Sequence, residues 1–236
     1  MSFFQDMVSV FRKKELSFIE SYQESDDVYT FRFEKAKDLT WKAGQYGLFS
    51  ITHAKIKKAT RPFSLASAPA EHIVQITTRI RENPSDFKKA MLAFKPGMTI
   101  KMGGPVGAFC LEDRSPALLV AGGIGITPIR SIVKQLEAEG KKDEKHIHLL
   151  YMDSQKTYVF KDELDAVAAR TSIRVSYLDS RDRLQQEIDQ FAALHPKDDG
   201  QYLLSGPKAM VDSTSAYLLS QGVSKQQVKK DVFYGY

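Results

Sequence analysis

Ala117-Leu118-Leu119-Val120-Ala121 runs without a polar side chain into Gly122-Gly123-Ile124-Gly125-Ile126-Thr127-Pro128. An unbroken apolar run suits a strand covered on both faces, as in a parallel sheet. Beyond it, residues 128–139 place Ile129, Ile132, Val133 and Leu136 at helical spacing, with Gly140 past the end. Glycines at such a junction let the backbone turn with positive φ and approach a ligand closely. Thr127 is expected to cap the helix and Pro128 to sit in its first turn. The unbonded N–H groups of a helix start then form a seat for a pyrophosphate. The turn departs from the G-x-G-x-x-G dinucleotide fingerprint, because Pro128 stands at the third glycine position.

The same alternation continues downstream. Strands are expected at residues 147–152, 173–178 and 201–204, and helices at 160–169, 183–194 and 208–221. Strands alternating with helices imply a parallel, doubly wound sheet. Upstream the rhythm differs. Short β-rich segments at residues 16–21, 28–34, 46–51, 63–66, 73–80 and 99–102 are separated by Gly, Pro, Asp and Lys turns, the pattern of an antiparallel barrel or sandwich. One helix, residues 85–93, is expected among them, capped by Ser85, with Phe87, Met91, Leu92 and Phe94 near one face. The expected fold is therefore two-domain: an antiparallel β-barrel over residues 1–113 and an α/β parallel-sheet domain over residues 114–236.

Composition narrows the chemistry. The 236 residues are 42% hydrophobic and 27% charged, the balance of a chain that builds a core. No apolar run approaches the roughly 20 residues that cross a bilayer. The first sixteen residues lack the features of a signal peptide, so a cytoplasmic protein without membrane insertion is expected. Cys110 is the one cysteine, which rules out an internal disulfide and a cluster held by four thiolates of this chain. The five histidines are scattered, so no metal site is expected. Any redox chemistry then uses an organic cofactor. The formal charge of +5 favours acidic partners. Basic clusters lie at residues 12–14, 55–58, 141–145 and 229–230, and no nucleic-acid module accompanies them.

Two further motifs bear on that cofactor. Arg61-Pro62-Phe63-Ser64-Leu65-Ala66-Ser67 offers a guanidinium fork for phosphate oxygens, a ring on the same strand face, and a neighbouring hydroxyl. Taken alone it equally describes a buried aromatic beside an exposed arginine. Leu203-Leu204-Ser205-Gly206-Pro207 ends an expected parallel strand, where ligands of open α/β sheets gather. Taken alone it equally fits a plain strand-to-helix turn.

In this order and spacing the motifs resemble the ferredoxin–NADP reductase superfamily over nearly the whole chain. The shared segments are R-x-[YF]-S-x-x-S, G-G-x-G-x-T-P, [CS]-G-P and an aromatic C-terminus. The resemblance implies a flavoprotein reductase that takes hydride from NADPH or NADH onto FAD (FMN being less favoured) and passes electrons to a separate acceptor. It implies that Arg61 and Pro62 lie at the flavin pyrophosphate, that Phe63 packs on the flavin, and that Ser64 donates to flavin N5. Thr78 and Arg79 would line the flavin, and Ser85 and Asp86 would sit where the family's helix start holds the pyrophosphate. Gly104 to Gly107 resembles the G-P-x-G turn that closes the barrel near the cofactor.

On the α/β side, Gly123, Gly125 and Thr127 would hold the dinucleotide, Ser205 and Gly206 would flank the nicotinamide, and Tyr236 would cover the flavin ring. Ser64, Ser205 and Tyr236 are the expected catalytic residues. Two positions depart from the family: Phe63 replaces the commoner Tyr, and Ser205 the commoner Cys. Ser180-Arg181 resembles the pair that grips the 2′-phosphate of NADPH, with Asp179 and Asp182 beside it as contrary carboxylates. NADPH is the favoured donor on that basis. An acidic electron carrier, ferredoxin or flavodoxin, is the expected partner; free flavin, a ferric chelate and an oxygenase component are the other acceptors. A non-catalytic electron-transfer subunit and a nucleotide-sensing protein are the rival readings. The reductase reading requires the turn at Gly123 and the strand at Arg61 to serve one pair of stacked rings.

Overall fold

Two units divide the chain, Met1–Cys110 and Leu111–Tyr236. The computed structural model describes residues 12–112, 116–140, 146–195 and 200–233. In the N-terminal unit, alternating apolar and polar side chains form β1 (Lys14–Ser25), β2 (Val28–Glu34), β3 (Tyr46–Ile51), β4 (Thr60–Ser64), β5 (Ile73–Arg79) and β6 (Thr99–Val106), with one helix, α1 (Asp86–Leu92). The six strands pair antiparallel in the order β4-β3-β6-β1-β2-β5. Beyond β4 the chain turns onto β5: the Ala66 amide donates to the Gln75 carbonyl at 2.9 Å, and the Gln75 amide donates to Ser67 Oγ at 3.0 Å. These bonds join the two ends of the sheet, which is barrel-like. Phe31, Phe33, Phe49, Ile76, Ile100 and Met102 fill its interior.

Helix α1 adds Phe87, Ala90 and Met91 to that core. Leu92, expected on the same face, is exposed. Five residues on from Phe87 it points about 140° away around the helix. Strand β4 begins three residues before the expected segment and ends at Ser64 rather than residue 66. Pro62 is accommodated inside it because β4 is an edge strand, where a missing N–H is tolerated.

The C-terminal unit follows its expected alternation: β7 (Ala117–Gly122), α2 (Ile126–Glu139), β8 (Ile147–Met152), α3 (Lys161–Arg170), β9 (Arg174–Leu178), α4 (Arg181–Leu194), β10 (Gln201–Pro207) and α5 (Lys208–Ser220). Every residue of β7 is buried, as its apolar run requires. A last strand, β11 (Val228–Phe233), was not expected. Its Lys229-Lys230-Asp231 centre conceals the strand pattern, and its place at the sheet edge, parallel to β10, keeps those charges in solvent reach. All five strands are parallel in the order β11-β10-β7-β8-β9. From β7 the chain winds outward through β8 and β9, then returns to the other side of β7 for β10 and β11. The winding therefore reverses between β7 and β10, and ligands of such sheets bind at the carboxyl ends of strands flanking that reversal. Among the described residues no helix is long and apolar enough to cross a membrane.

Candidate functional site

In the C-terminal unit the glycine turn and the Ser205-Gly206-Pro207 segment lie against each other where the winding reverses. Strand β7 ends at Gly122, residues Gly123–Gly125 form one 3-10 turn, and α2 starts at Ile126. Gly123 takes a left-handed φ of 51°, a conformation that a side chain disfavours. Gly125 has an ordinary φ of −61° and is required for a different reason. A Cβ there would lie 2.4 Å from the Ser205 carbonyl oxygen and 2.6 Å from the Gly206 backbone. Gly206, at φ 145°, would in turn press a Cβ to 2.9 Å from the Gly122 carbonyl. Backbone thus packs directly on backbone, leaving the start of α2 uncovered by side chains of its own turn.

Thr127 does not cap α2. The cap position is Gly125, and Thr127, in the first turn, donates from Oγ1 to the Ile124 carbonyl at 3.1 Å. The 3-10 turn moves the helix start two residues earlier than the threonine signal suggested. Ser205 is fully buried, and its Oγ has no hydrogen-bond partner among the described residues. A buried hydroxyl without a partner is unfavourable unless a ligand or an ordered water satisfies it.

Along the same edge, Ser180 caps α4 by accepting from the Arg183 amide at 3.4 Å, and Arg181 is its exposed first residue. The expected helix began at residue 183; capping by Ser180 draws Arg181 into the first turn. Asp179, just before the cap, meets Lys156 at 3.1 Å and Arg183 at 3.7 Å. The hydrogen bond from Lys156 holds the Asp179 carboxyl below its usual range. Asp153, the residue after β8, has Oδ2 4.0 Å from where a Gly123 Cβ would stand. Burial, then the Asp179 and Asp153 carboxylates, push the Tyr158 hydroxyl up. Sequence reasoning missed Asp153, Lys156 and Tyr158, which follow β8 in a loop without a glycine signature.

In the N-terminal unit, Arg61 and Phe63 share one face of β4, opposite Phe49 and Gly47 of β3. Arg61 is partly exposed, and its bond is to the neighbouring Thr60 carbonyl at 3.3 Å. The Phe63 ring packs on Phe87 at 5.6 Å and Phe49 at 6.1 Å between centroids, while remaining half-buried. Ser64 is buried at the end of β4, and Pro62 is exposed. Thr78 is buried near the end of β5, and Arg79 pairs with Asp27 at 3.3 Å. Ser85 caps α1, accepting from the Lys88 amide at 3.4 Å, and Asp86 is exposed beside Lys89. Tyr236 lies outside the described residues.

Residues 119–216 match the family model described as the oxidoreductase NAD-binding domain. The chain is 26% identical over 219 residues to the toluate 1,2-dioxygenase electron transfer component of Pseudomonas putida, covering 88% of this chain and 63% of that protein. It therefore spans less than two thirds of that relative's length. The flavohem-like FAD/NAD binding domain of nitric oxide dioxygenase from Vibrio cholerae superimposes with a TM-score of 0.76 at 25% identity, over 93% of this chain and 98% of that one. A ferredoxin NADP+ reductase from Neisseria gonorrhoeae, with bound FAD and NADP, superimposes with a TM-score of 0.79 at 18% identity, over 94% of this chain and 99% of that one. The last likeness establishes the fold.

Proposed function

Because residues 119–216 match the family model of the oxidoreductase NAD-binding domain, we propose that the chain is a flavoprotein reductase. It draws hydride from NADPH, or less readily NADH, and delivers electrons to a separate acceptor. The observation that carries this reading is the backbone crossing of Gly125 on Ser205 and Gly206 at the winding reversal, with a buried hydroxyl left unpaired beside it. A bound nicotinamide supplies the hydride, and FAD supplies a ring that accepts it and releases electrons singly.

The chain's residues fit both groups. The uncovered start of α2, with Gly123 and Gly125, would take the dinucleotide pyrophosphate, and Thr127 steadies that turn by its bond to Ile124. Ser205 and Gly206 would flank the nicotinamide, the Ser205 hydroxyl gaining the partner it lacks. In the N-terminal unit Arg61, not committed to any carboxylate among the described residues, would pair with flavin phosphate, with Pro62 beside it. Phe63 would offer its exposed side to the flavin, Ser64 would donate to its ring, and Thr78 and Arg79 would line it. Ser85 and Asp86 would bound the phosphate end, and Tyr236 is assigned as the aromatic cover. These residues bind and orient; no side-chain nucleophile is required.

The acceptor we favour is an acidic electron carrier such as a ferredoxin or flavodoxin, in the cytoplasm. Lys55, Lys57 and Lys58 are exposed on the connection leading into β4 and Arg61, and none has an ion pair among the described residues. The toluate dioxygenase relative, named as an electron transfer component, supports the class. The purified chain is expected to be yellow and to bleach anaerobically when NADPH or NADH is added. A folded, colourless protein that takes up no flavin would overturn the reading. Raising ionic strength is expected to slow reduction of an acidic carrier and spare a small neutral dye.

A further inference from the structure

At the amino ends of the C-terminal strands, away from the glycine turn, a cavity of about 170 Å³ opens between the starts of β8 and β9 and the last turns of α4. Register and helix spacing build it. His146 directly precedes β8, and Arg174 opens β9 beside His148. Glu187, Gln190, Phe191 and Leu194 recur three and four residues apart along α4, so they share one face of that helix. We propose that this cavity binds a planar, uncharged single ring with a lactam edge, an N–H beside a C=O, as in a pyrimidine base.

Size, walls and charge select that ligand. A cavity of about 150 Å³ already admits a benzene-sized ring. One wall is a row of three rings: His146 stands 5.3 Å from His195, and His195 4.6 Å from Phe191, between centroids. Such faces and edges hold a flat occupant by offset or edge-to-face contact. Opposite charges meet at the polar side. Arg174 Nη2 lies 3.5 Å and His148 Nε2 3.9 Å from Glu187 Oε2, which is buried and has no hydrogen-bond partner among the described residues. The His148 ring is instead 2.9 Å from Ser176 Oγ. The Glu187 side chain keeps 18% of its surface and lines the cavity, so an occupant approaches the carboxylate from there. Burial, then Arg174, lower His148 to about 4, and burial, then His146, lower His195, which leaves both rings uncharged at neutral pH. Arg174 and Glu187 are the charged side chains of the lining, and they cancel. The carboxylate accepts and the guanidinium donates, side by side, and a lactam offers the complementary donor and acceptor. A ligand with net charge of either sign meets a like charge in this pair; an uncharged lactam meets none.

Ligand-observed NMR titration of the full chain with uracil, 1,3-dimethyluracil, benzoate and benzamidine tests the assignment. Uracil is expected to bind with a Kd on the order of 0.1–1 mM, as suits so small a ring. Dimethyluracil, which keeps the ring and loses both N–H groups, should bind at least about tenfold more weakly. Glu187→Gln and Arg174→Gln should each weaken uracil about tenfold, as loss of a charge-assisted hydrogen bond does. Arg174 is 59% exposed, so its variant keeps the assignment testable if Glu187→Gln fails to fold. Turnover with the nicotinamide donor should stay within about twofold in both variants, because the cavity lies at the other end of the strands. No uracil binding at about 10 mM, equal binding of dimethyluracil, or stronger binding of benzoate or benzamidine overturns the lactam site. Displacement of uracil by adenosine 5′-monophosphate overturns it too, by moving the ring to the dinucleotide site and leaving the reductase reading intact.

Discussion

Around Gly125 the C-terminal unit packs backbone directly on backbone, whereas around Arg61 the N-terminal unit stands side chains out from an edge strand. On the proposed reading the first would seat a ligand by leaving side chains out and the second by holding them out. At Gly125 a single added carbon meets a carbonyl at 2.4 Å, and backbone has nowhere to move. At Arg61 the guanidinium stands on an edge strand, bonded to a neighbouring carbonyl, and Phe63 keeps one side of its ring against Phe87 and Phe49. A site made of absent atoms is intolerant of substitution in kind. A site made of present ones loses strength in proportion to what is removed.

The largest effect should separate the two. Gly125→Ala forces the turn off Ser205 and Gly206, an overpacking of about 3 kcal/mol or more, so kcat/KM for the nicotinamide donor should fall at least about a hundredfold. Flavin content of the purified variant should stay at the wild-type level. Arg61→Ala should do the reverse, weakening flavin binding by about 1.5–3 kcal/mol, the range for a hydrogen bond to a charged group. Fluorimetric flavin titration of both variants checks the pair. Loss of flavin in Gly125→Ala together with its retention in Arg61→Ala would break the comparison.

Acid should also act on one unit selectively. Burial, and then Arg174, depress His148 to about 4, while Glu187, 3.9 Å away, does not offset this. His195 is lowered as well, by burial and then by His146. With the folded value below the unfolded 6.5, the unfolded chain binds more protons between them. Stability from neutral His148 is therefore full above 6.5 and is lost as pH falls from 6.5 towards 4, by about 3 kcal/mol. Hydrogen exchange followed from pH 7 to 4.5 should show amides of β8 and β9 opening before those of β3 and β6. His148→Gln should reduce that pH dependence, and an unaltered profile would remove His148 as its source.

The smallest effect sharpens the account of Ser205. Since its buried hydroxyl lacks a partner among the described residues, Ser205→Ala should leave the melting temperature unchanged or raise it slightly, by about 1 kcal/mol of stability at most. Donor kcat/KM should nevertheless fall about three- to tenfold, the measure of a hydrogen bond formed only with ligand present. A marked drop in melting temperature would mean that the hydroxyl serves the fold instead.

The sequence by itself determined the order of elements. A fully apolar run reads as the buried strand β7, period-two segments as the N-terminal sheet, and helical spacing as α2, because local period reflects which face meets the core. It also marked the glycine turn. It did not reveal β11, whose three consecutive charges are acceptable only because the strand lies at an edge. Nor did it reveal that Gly125, not Thr127, occupies the cap of α2. Tertiary structure alone decided which segments meet: Gly125 against Ser205, Lys156 against Asp179, His148 against Arg174 and Glu187. These partners lie 23 residues or more apart in sequence, and crossover connections bring them side by side. Contacts between such segments follow from strand order, which local patterning leaves open.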